Sequence, residues 1–267
     1  MLLAIDLGNT NIVIGVYRDD QLLHHWRIST QKWETADEFG ISFRNLLAME
    51  QIDRKQIKDI IIASVVPPLQ EALIQMAQVH FDLKPLVVSF DTVKMPILYL
   101  NPQEVGADRL VNAVAGFRKY GGPLIIVDFG TATTFCVISA QGEYLGGCIV
   151  PGVNVSAEAL YRYTAKLPRV EITKPAQVIG RTTISSIQSG LFYGNIALVE
   201  GMAARIRKEL GQNATVIATG GLAQFIGPEI ECIHKIEPWL TLEGMRYIWE
   251  ENSSDHRNTE LQKYGKF

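Results

Sequence analysis

One strand-turn-strand pattern occurs twice in this chain, and no other feature limits its possible folds as tightly. The first copy is Leu2-Leu3-Ala4-Ile5-Asp6-Leu7-Gly8-Asn9-Thr10-Asn11-Ile12-Val13-Ile14-Gly15-Val16-Tyr17; the second is Leu124-Ile125-Ile126-Val127-Asp128-Phe129-Gly130-Thr131-Ala132-Thr133-Thr134-Phe135-Cys136-Val137-Ile138. In each, an apolar run rich in β-branched residues reads as a buried strand, and Gly with small hydroxyl or amide residues supplies a tight turn into a second strand. In each, an Asp stands at the inner end of the first strand, where an isolated carboxylate is costly to bury. A bound cation, or a charged ligand with its cation, removes that cost. Two such turns, offering backbone N–H groups and hydroxyls beside a carboxylate, suit a polyphosphate with Mg²⁺. One copy alone reads better as an ordinary core hairpin with a polar turn; the repetition reverses that balance in favour of the ligand.

The remaining elements extend both copies into sheets covered by helices. Gln21 to Ile28 reads as a third strand. Thr35-Ala36-Asp37-Glu38 then opens a helix with a capping-box pattern, and Phe39, Phe43, Leu46 and Leu47 fall on one face. Ile57 to Val66 is a buried strand stopped by Pro67-Pro68, beyond which Leu69, Leu73 and Met76 mark a second amphipathic helix. The order of elements predicts a mixed sheet. A loop interrupted by Pro96 and Pro102 leads to Gly106-Ala107-Asp108-Arg109 at a helix start, where an Asp can serve simply as a cap. Gly121-Gly122-Pro123 is the expected domain boundary. In the second half, Gly146-Gly147 and Pro151-Gly152 suggest close backbone approach, and Thr182 to Leu210 is a long helix stopped by Gly211. Thr215 to Ala223 runs as strand, Gly220-Gly221 turn and helix, open to a nucleotide. The polar segment from Glu251 onward is expected to be mobile.

Composition narrows the function. A chain of 267 residues with 47% hydrophobic and 20% charged residues has ample core. It has no apolar stretch of the roughly 18 residues a membrane span needs, and its N-terminus lacks a signal-peptide pattern, so a cytoplasmic address is expected. The net charge of −3 excludes a basic nucleic-acid footprint. Cys136, Cys148 and Cys232 and the five histidines have no metal-ligand spacing. Walker A and dinucleotide-fold glycine patterns are absent.

Taken in order, Asp6-Leu7-Gly8-Asn9-Thr10-Asn11, Gly106-Ala107-Asp108-Arg109, Val127 to Thr134, Gly146-Gly147 with Pro151-Gly152, Leu167-Pro168-Arg169-Val170, and Gly180-Arg181-Thr182-Thr183 followed by Gln188-Ser189-Gly190 resemble the type III pantothenate kinases. These belong to the superfamily of acetate and sugar kinases, Hsp70 and actin. The resemblance runs from Asp6 to about Gly244. It implies an α/β fold of duplicated actin-like (ribonuclease H-like) domains, residues 1–120 and 121–267, each a mixed five-stranded sheet with flanking helices, and ATP in the cleft between them. It implies ATP-dependent phosphorylation of pantothenate to 4′-phosphopantothenate, the first step of coenzyme A biosynthesis, with Mg²⁺ and a monovalent cation, K⁺ or NH₄⁺.

By the same resemblance Asp108 is the base and Arg109 pairs with the pantothenate carboxylate, in a pocket with Tyr99, Gly106 and Ala107. Thr183 joins it from a neighbouring subunit, so a homodimer is expected. Asp6 holds Mg²⁺, usually through water. Gly8, Asn9, Thr10, Asn11, Gly130, Thr131 and Thr133 surround the phosphates, Asp128 serves the monovalent cation, and Gly220 and Gly221 border the adenosine. Asn11 and Thr182 depart from the family's pattern without removing a charge, and contacts around Trp239 are the least defined. A non-catalytic ligand-binding or transcription-accessory relative is the alternative, against which the intact acids argue. An actin-like filament would need insertions that this chain lacks.

Overall fold

A computed structural model describes residues 1–264, with side chains through Ser253. The chain forms two compact units, Met1–Ala115 together with the chain from Leu240 onward, and Gly116–Trp239.

The first unit is built on a five-stranded sheet in the order β3-β2-β1-β4-β5, from β1 (Leu2–Leu7), β2 (Asn11–Arg18), β3 (Gln21–Ser29), β4 (Asp59–Ser64) and β5 (Leu86–Val87). β1, β2 and β3 form an antiparallel meander, while β4 lies parallel to β1 and β5 parallel to β4. Because side chains alternate across a strand, Leu3, Ile5 and Leu7 share one face. They enter a core with Phe39, Phe43 and Leu47 of α1 (Ala36–Met49) and Leu69, Leu73 and Met76 of α2 (Pro67–Phe81). Asp6 belongs to the opposite face. The capping box at Thr35 is present, with the Thr35 Oγ1 accepting from the Glu38 amide and the Glu38 carboxylate accepting from the Thr35 amide.

α3 (Ala107–Tyr120) begins in this unit, and α7 (Leu240–Tyr264) returns to it. Leu240, Leu242, Met245 and Ile248 are buried. Leu242 lies over Gly15, where a Cβ would meet its Cδ1 at 2.9 Å, and Gly244 lies against α3, where a Cβ would stand 2.1 Å from the Val111 carbonyl oxygen. This differs from the expected division at residue 121 with everything beyond it in one domain. The last helix packs where Gly15 and Gly244 leave room for it, a long-range fit that the order of elements along the chain does not contain. The polar segment from Glu251 falls for the most part on residues whose side chains lie outside the described residues. α7 continues through it to Tyr264, and the Asn252 Nδ2 donates to the Thr92 carbonyl at 2.9 Å; residues 265–267 lie outside the described residues.

The second unit repeats the plan as β10-β9-β6-β7-β8, from β6 (Leu124–Phe129), β7 (Ala132–Ile138), β8 (Tyr144–Pro151), β9 (Thr215–Thr219) and β10 (Lys235–Ile236). β6 to β8 meander antiparallel, and β9 is parallel to β6. Ile125, Val127 and Phe129 enter a core with residues of α5 (Thr183–Leu210) and α6 (Ala223–Ile226); the partly buried Ala157 and Leu160 of α4 (Val153–Tyr163) pack against that core. Asp128 again takes the opposite face. α5 runs unbroken for 28 residues and ends at Gly211 in the left-handed conformation, φ 65°, as the sequence predicts. β8 needs its glycines: a Cβ at Gly147, φ 156°, would stand 1.6 Å from the Phe135 carbonyl oxygen.

Candidate active site

In the first unit four residues, Gly8 to Asn11, separate the last paired residues Leu7 and Ile12, and this turn is closed by the Gly8 amide donating to the Asn11 carbonyl at 3.0 Å. Asn9 and Thr10 are exposed, as a ligand-binding turn requires. Asp6 pairs across the sheet with Val13 and Ala63, so its face carries Val13 and, two residues earlier on β2, Asn11. These groups lie at the carboxyl ends of the parallel strands β1 and β4, the edge at which open α/β sheets take ligands.

The same edge receives the start of α3. The Gly106 carbonyl accepts from the Arg109 and Leu110 amides, and a Cβ on Gly106 would stand 3.5 Å from Val65 Cγ1, just beyond β4, and 2.6 Å from Asp108 Oδ1. Gly106 therefore makes room for the Asp108 carboxylate. That carboxylate accepts from the Arg109 amide at 2.8 Å. Burial pushes its pKa above the ordinary Asp value, opposed by the Arg109 amide and guanidinium. Ala107 is buried, and Arg109 is 7% exposed, an unusual depth for a guanidinium outside a binding site. Tyr99 is half-buried on the preceding loop.

In the second unit the corresponding turn is one residue shorter. Gly130 donates to the Ala132 carbonyl at 3.1 Å, and Phe129 pairs with Thr133 where, in the first copy, Leu7 pairs with Ile12. Thr133 consequently occupies the position of a core residue. It is fully buried, on the face shared by Phe129 and Phe135, and the structure does not bring it to the side of Asp128. Thr134, which the sequence reading passed over, pairs with Asp128 and shares its face. Turn length is the signal that distinguishes them. Thr131 and Gly130 are exposed at the tip of the turn.

Two further segments meet this second turn. Gly152, the N-cap of α4, donates its amide to the Thr131 carbonyl at 3.1 Å, and a Cβ on it would stand 2.4 Å from that oxygen. The close approach suggested by Pro151-Gly152 is thus to the turn itself, and it brings the positive end of α4 beside it. From the other side Gly220, φ 95°, follows β9, and a Cβ there would stand 2.3 Å from Asp128 Oδ1. Gly220 and Asp128 are therefore held together, with Gly221 exposed beyond them. Thr183 is exposed at the first position of α5, capped by Thr182.

No cluster of three or more metal-ligating side chains occurs among the described residues. Mg²⁺ that arrives on a nucleotide does not need one, since phosphate oxygens and water fill most of its shell and one or two carboxylates complete it. Asp6 and Asp128, each beside a turn rich in amide and hydroxyl groups, fit that requirement. No helix among the described residues is long and apolar enough to cross a membrane.

A profile of the family described as type III pantothenate kinase matches residues 2–205. A type III pantothenate kinase of Koribacter versatilis is 50% identical over 278 aligned positions, which span 100% of each chain. Among solved structures, a protein of Campylobacter jejuni named for the Baf family of transcriptional activators superposes with a TM-score of 0.60 at 20% identity, covering 94% of this chain and 99% of that one. MreB 5 of Spiroplasma citri, bound to AMPPNP, gives 0.53 at 13% identity, with 97% and 98% covered. The two structural likenesses establish the duplicated actin-like fold.

Proposed function

The chain belongs to the type III pantothenate kinases, and from that premise we propose how its own residues divide the work of the reaction. The activity is ATP-dependent phosphorylation of pantothenate, entering coenzyme A biosynthesis. Asp108 accepts the proton of the attacking hydroxyl, and Arg109 pairs with the substrate carboxylate; Tyr99, Gly106 and Ala107 shape that pocket. The observation that carries this assignment is the buried carboxylate with a raised pKa next to a guanidinium that is itself nine-tenths buried. Phosphoryl transfer asks chiefly for positioning and charge neutralisation. The amides of the first turn, with Asn9, Thr10 and Asn11, and Gly130, Thr131 and the start of α4 in the second, supply donors to phosphate oxygens. Thr134 accompanies Asp128 in place of Thr133.

Mg²⁺ bound near Asp6 would neutralise phosphate charge, and K⁺ or NH₄⁺ near Asp128 would add a second, weaker charge. Gly220 and Gly221 border the nucleoside. A cytoplasmic address accompanies this reading, because ATP is supplied there. The competing ligand-binding or transcription-accessory reading has no residue in its favour, since Asp6, Asp108, Arg109 and Asp128 are all in place.

ADP release from the purified protein with ATP, Mg²⁺ and pantothenate, compared in potassium and sodium buffers, tests the proposal. Release that requires pantothenate and is stimulated by potassium is expected. Folded protein silent in both buffers, or indifferent to pantothenate, would overturn it.

A homodimer belongs to the same proposal, with Thr183 contributed by the neighbouring subunit. Its support is the outer face of α5. Gly190, Gly194, Ala197, Gly201 and Ala204 recur there at alternating steps of four and three, and a Cβ on Gly190 or Gly194 meets nothing within 4 Å. The exposed Ile184, Ile179 and Val178 lie near its start in the sequence. Gly194→Leu should strengthen the isolated helix by roughly 0.5–1 kcal/mol yet convert a dimer to monomer in light scattering. A wild-type protein that is already monomeric removes the shared site.

A further inference from the structure

The two turns are held at their base by equivalent residues of opposite chemistry. In both units the residue just past the third strand donates its amide to the turn: Gly152 to the Thr131 carbonyl at 3.1 Å, and Thr30 to the Thr10 carbonyl at 3.0 Å. At Gly152 there is no room for a side chain. At Thr30 there is one, and its Oγ1 donates a second hydrogen bond, 2.7 Å long, to the Gly8 carbonyl. The first turn is the longer by one residue, and the Thr30 hydroxyl gives it a hold that a glycine at the equivalent place cannot give.

A planar trans peptide points its C=O and N–H in opposite directions. Fixing the Gly8 carbonyl on the Thr30 hydroxyl therefore fixes the direction of the Asn9 N–H, away from β3, and fixing the Thr10 carbonyl does the same for the Asn11 N–H. Thr30 itself is half-buried, while Asn9 and Thr10 at the tip are exposed. We propose that Thr30 is a positioning residue for nucleotide binding: its hydroxyl locks the Gly8–Asn9 peptide so that the Asn9 amide is already aimed at a phosphate oxygen before ATP arrives. The proposal rests on the reading of Gly8 to Asn11 as a phosphate-binding turn. Preorganised donors cost nothing to orient at the moment of binding or reaction, whereas a four-residue turn released at one end must be ordered by the ligand.

Thr30→Val keeps the shape and the backbone donor and removes only the hydroxyl; Thr30→Ser keeps the hydroxyl. The KM for ATP should rise about fivefold to tenfold in Thr30→Val, the worth of one hydrogen bond. The KM for pantothenate should stay within about twofold, and Thr30→Ser should behave as wild type. Equal rises in both KM values, an unchanged KM for ATP in Thr30→Val, or a Thr30→Ser variant as impaired as Thr30→Val would each overturn the lock. If neither Thr30→Val nor Thr30→Ala folds while Thr30→Ser does, the role is structural and the proposal fails. Amide NMR separates this failure from failure of the turn itself. On addition of a non-hydrolysable ATP analogue with Mg²⁺, the Asn9 amide resonance of the wild-type protein should shift, and the shift should shrink in Thr30→Val. No shift in the wild type removes the phosphate turn; equal shifts in both proteins remove only the lock.

Discussion

Asp108→Asn is expected to lower kcat by about a hundredfold or more without lowering the folding stability at neutral pH. Asparagine has nearly the shape of aspartate, and its Oδ1 can still accept the Arg109 amide hydrogen bond that Asp108 makes at 2.8 Å. What it cannot do is take a proton from an alcohol. The sign of the stability effect follows from the pKa. Burial raises the Asp108 pKa in the folded protein, so the folded state holds this proton after the unfolded chain has released it. Across that window stability falls as pH rises, and above it the whole cost of the buried charge is present. The asparagine variant carries no such charge and should be as stable as the wild type or more so, which urea denaturation at neutral pH will measure. In the same way, kcat of the wild type should rise as pH passes upward through the raised pKa, and this limb should vanish from the residual activity of the variant. Turnover near the wild-type rate in a folded Asp108→Asn protein would remove Asp108 from the role of base.

Gly220→Ala should cost both stability and activity, by about 3 kcal/mol and most of the turnover. At φ 95° an L-residue is strained whatever the surroundings. Here the surroundings are also closed. The added methyl would stand 2.3 Å from Asp128 Oδ1 and 2.6 Å from the Phe129 amide nitrogen, and of these only the carboxylate can move. Moving it displaces the group proposed to hold the monovalent cation. The two causes separate in a double-mutant cycle. In an Asp128→Ala background the collision with the carboxylate is gone while the backbone strain and the Phe129 contact remain, so Gly220→Ala should cost less there than in the wild type. Strictly additive losses in thermal or urea unfolding would show that Gly220 and Asp128 are not coupled, and the steric link between the glycine turn and the cation site would be lost.

The places where sequence and structure part are informative because each has a length or a distance behind it. The duplication was legible because buried strands alternate with a period of two and turns need glycine, both of which are written locally. Asp6 and Asp128 could be placed at strand ends for the same reason. Thr133 could not be placed correctly, because the second turn is one residue shorter than the first and a slip of one residue exchanges the two faces of a strand. Thr134 therefore stands beside Asp128, and Thr133 is fully buried. Tyr99 shows the same boundary from the other side: its loop carries no periodic signal, so only the resemblance marked it.

The amino-acid sequence by itself determined the two hairpins, their carboxylates, the helix start at Asp108 with its arginine, and the family to which these motifs belong. Propensity, alternation and capping act over a few residues, so they survive in a linear reading. The tertiary structure alone decided that α7 returns to pack on Gly15 and Val111, that Gly152 and Thr30 brace the two turns, and that Gly220 touches Asp128. Each of those contacts joins residues more than a dozen positions apart, and close packing, which tolerates errors of only a few tenths of an ångström, sets which of them can form.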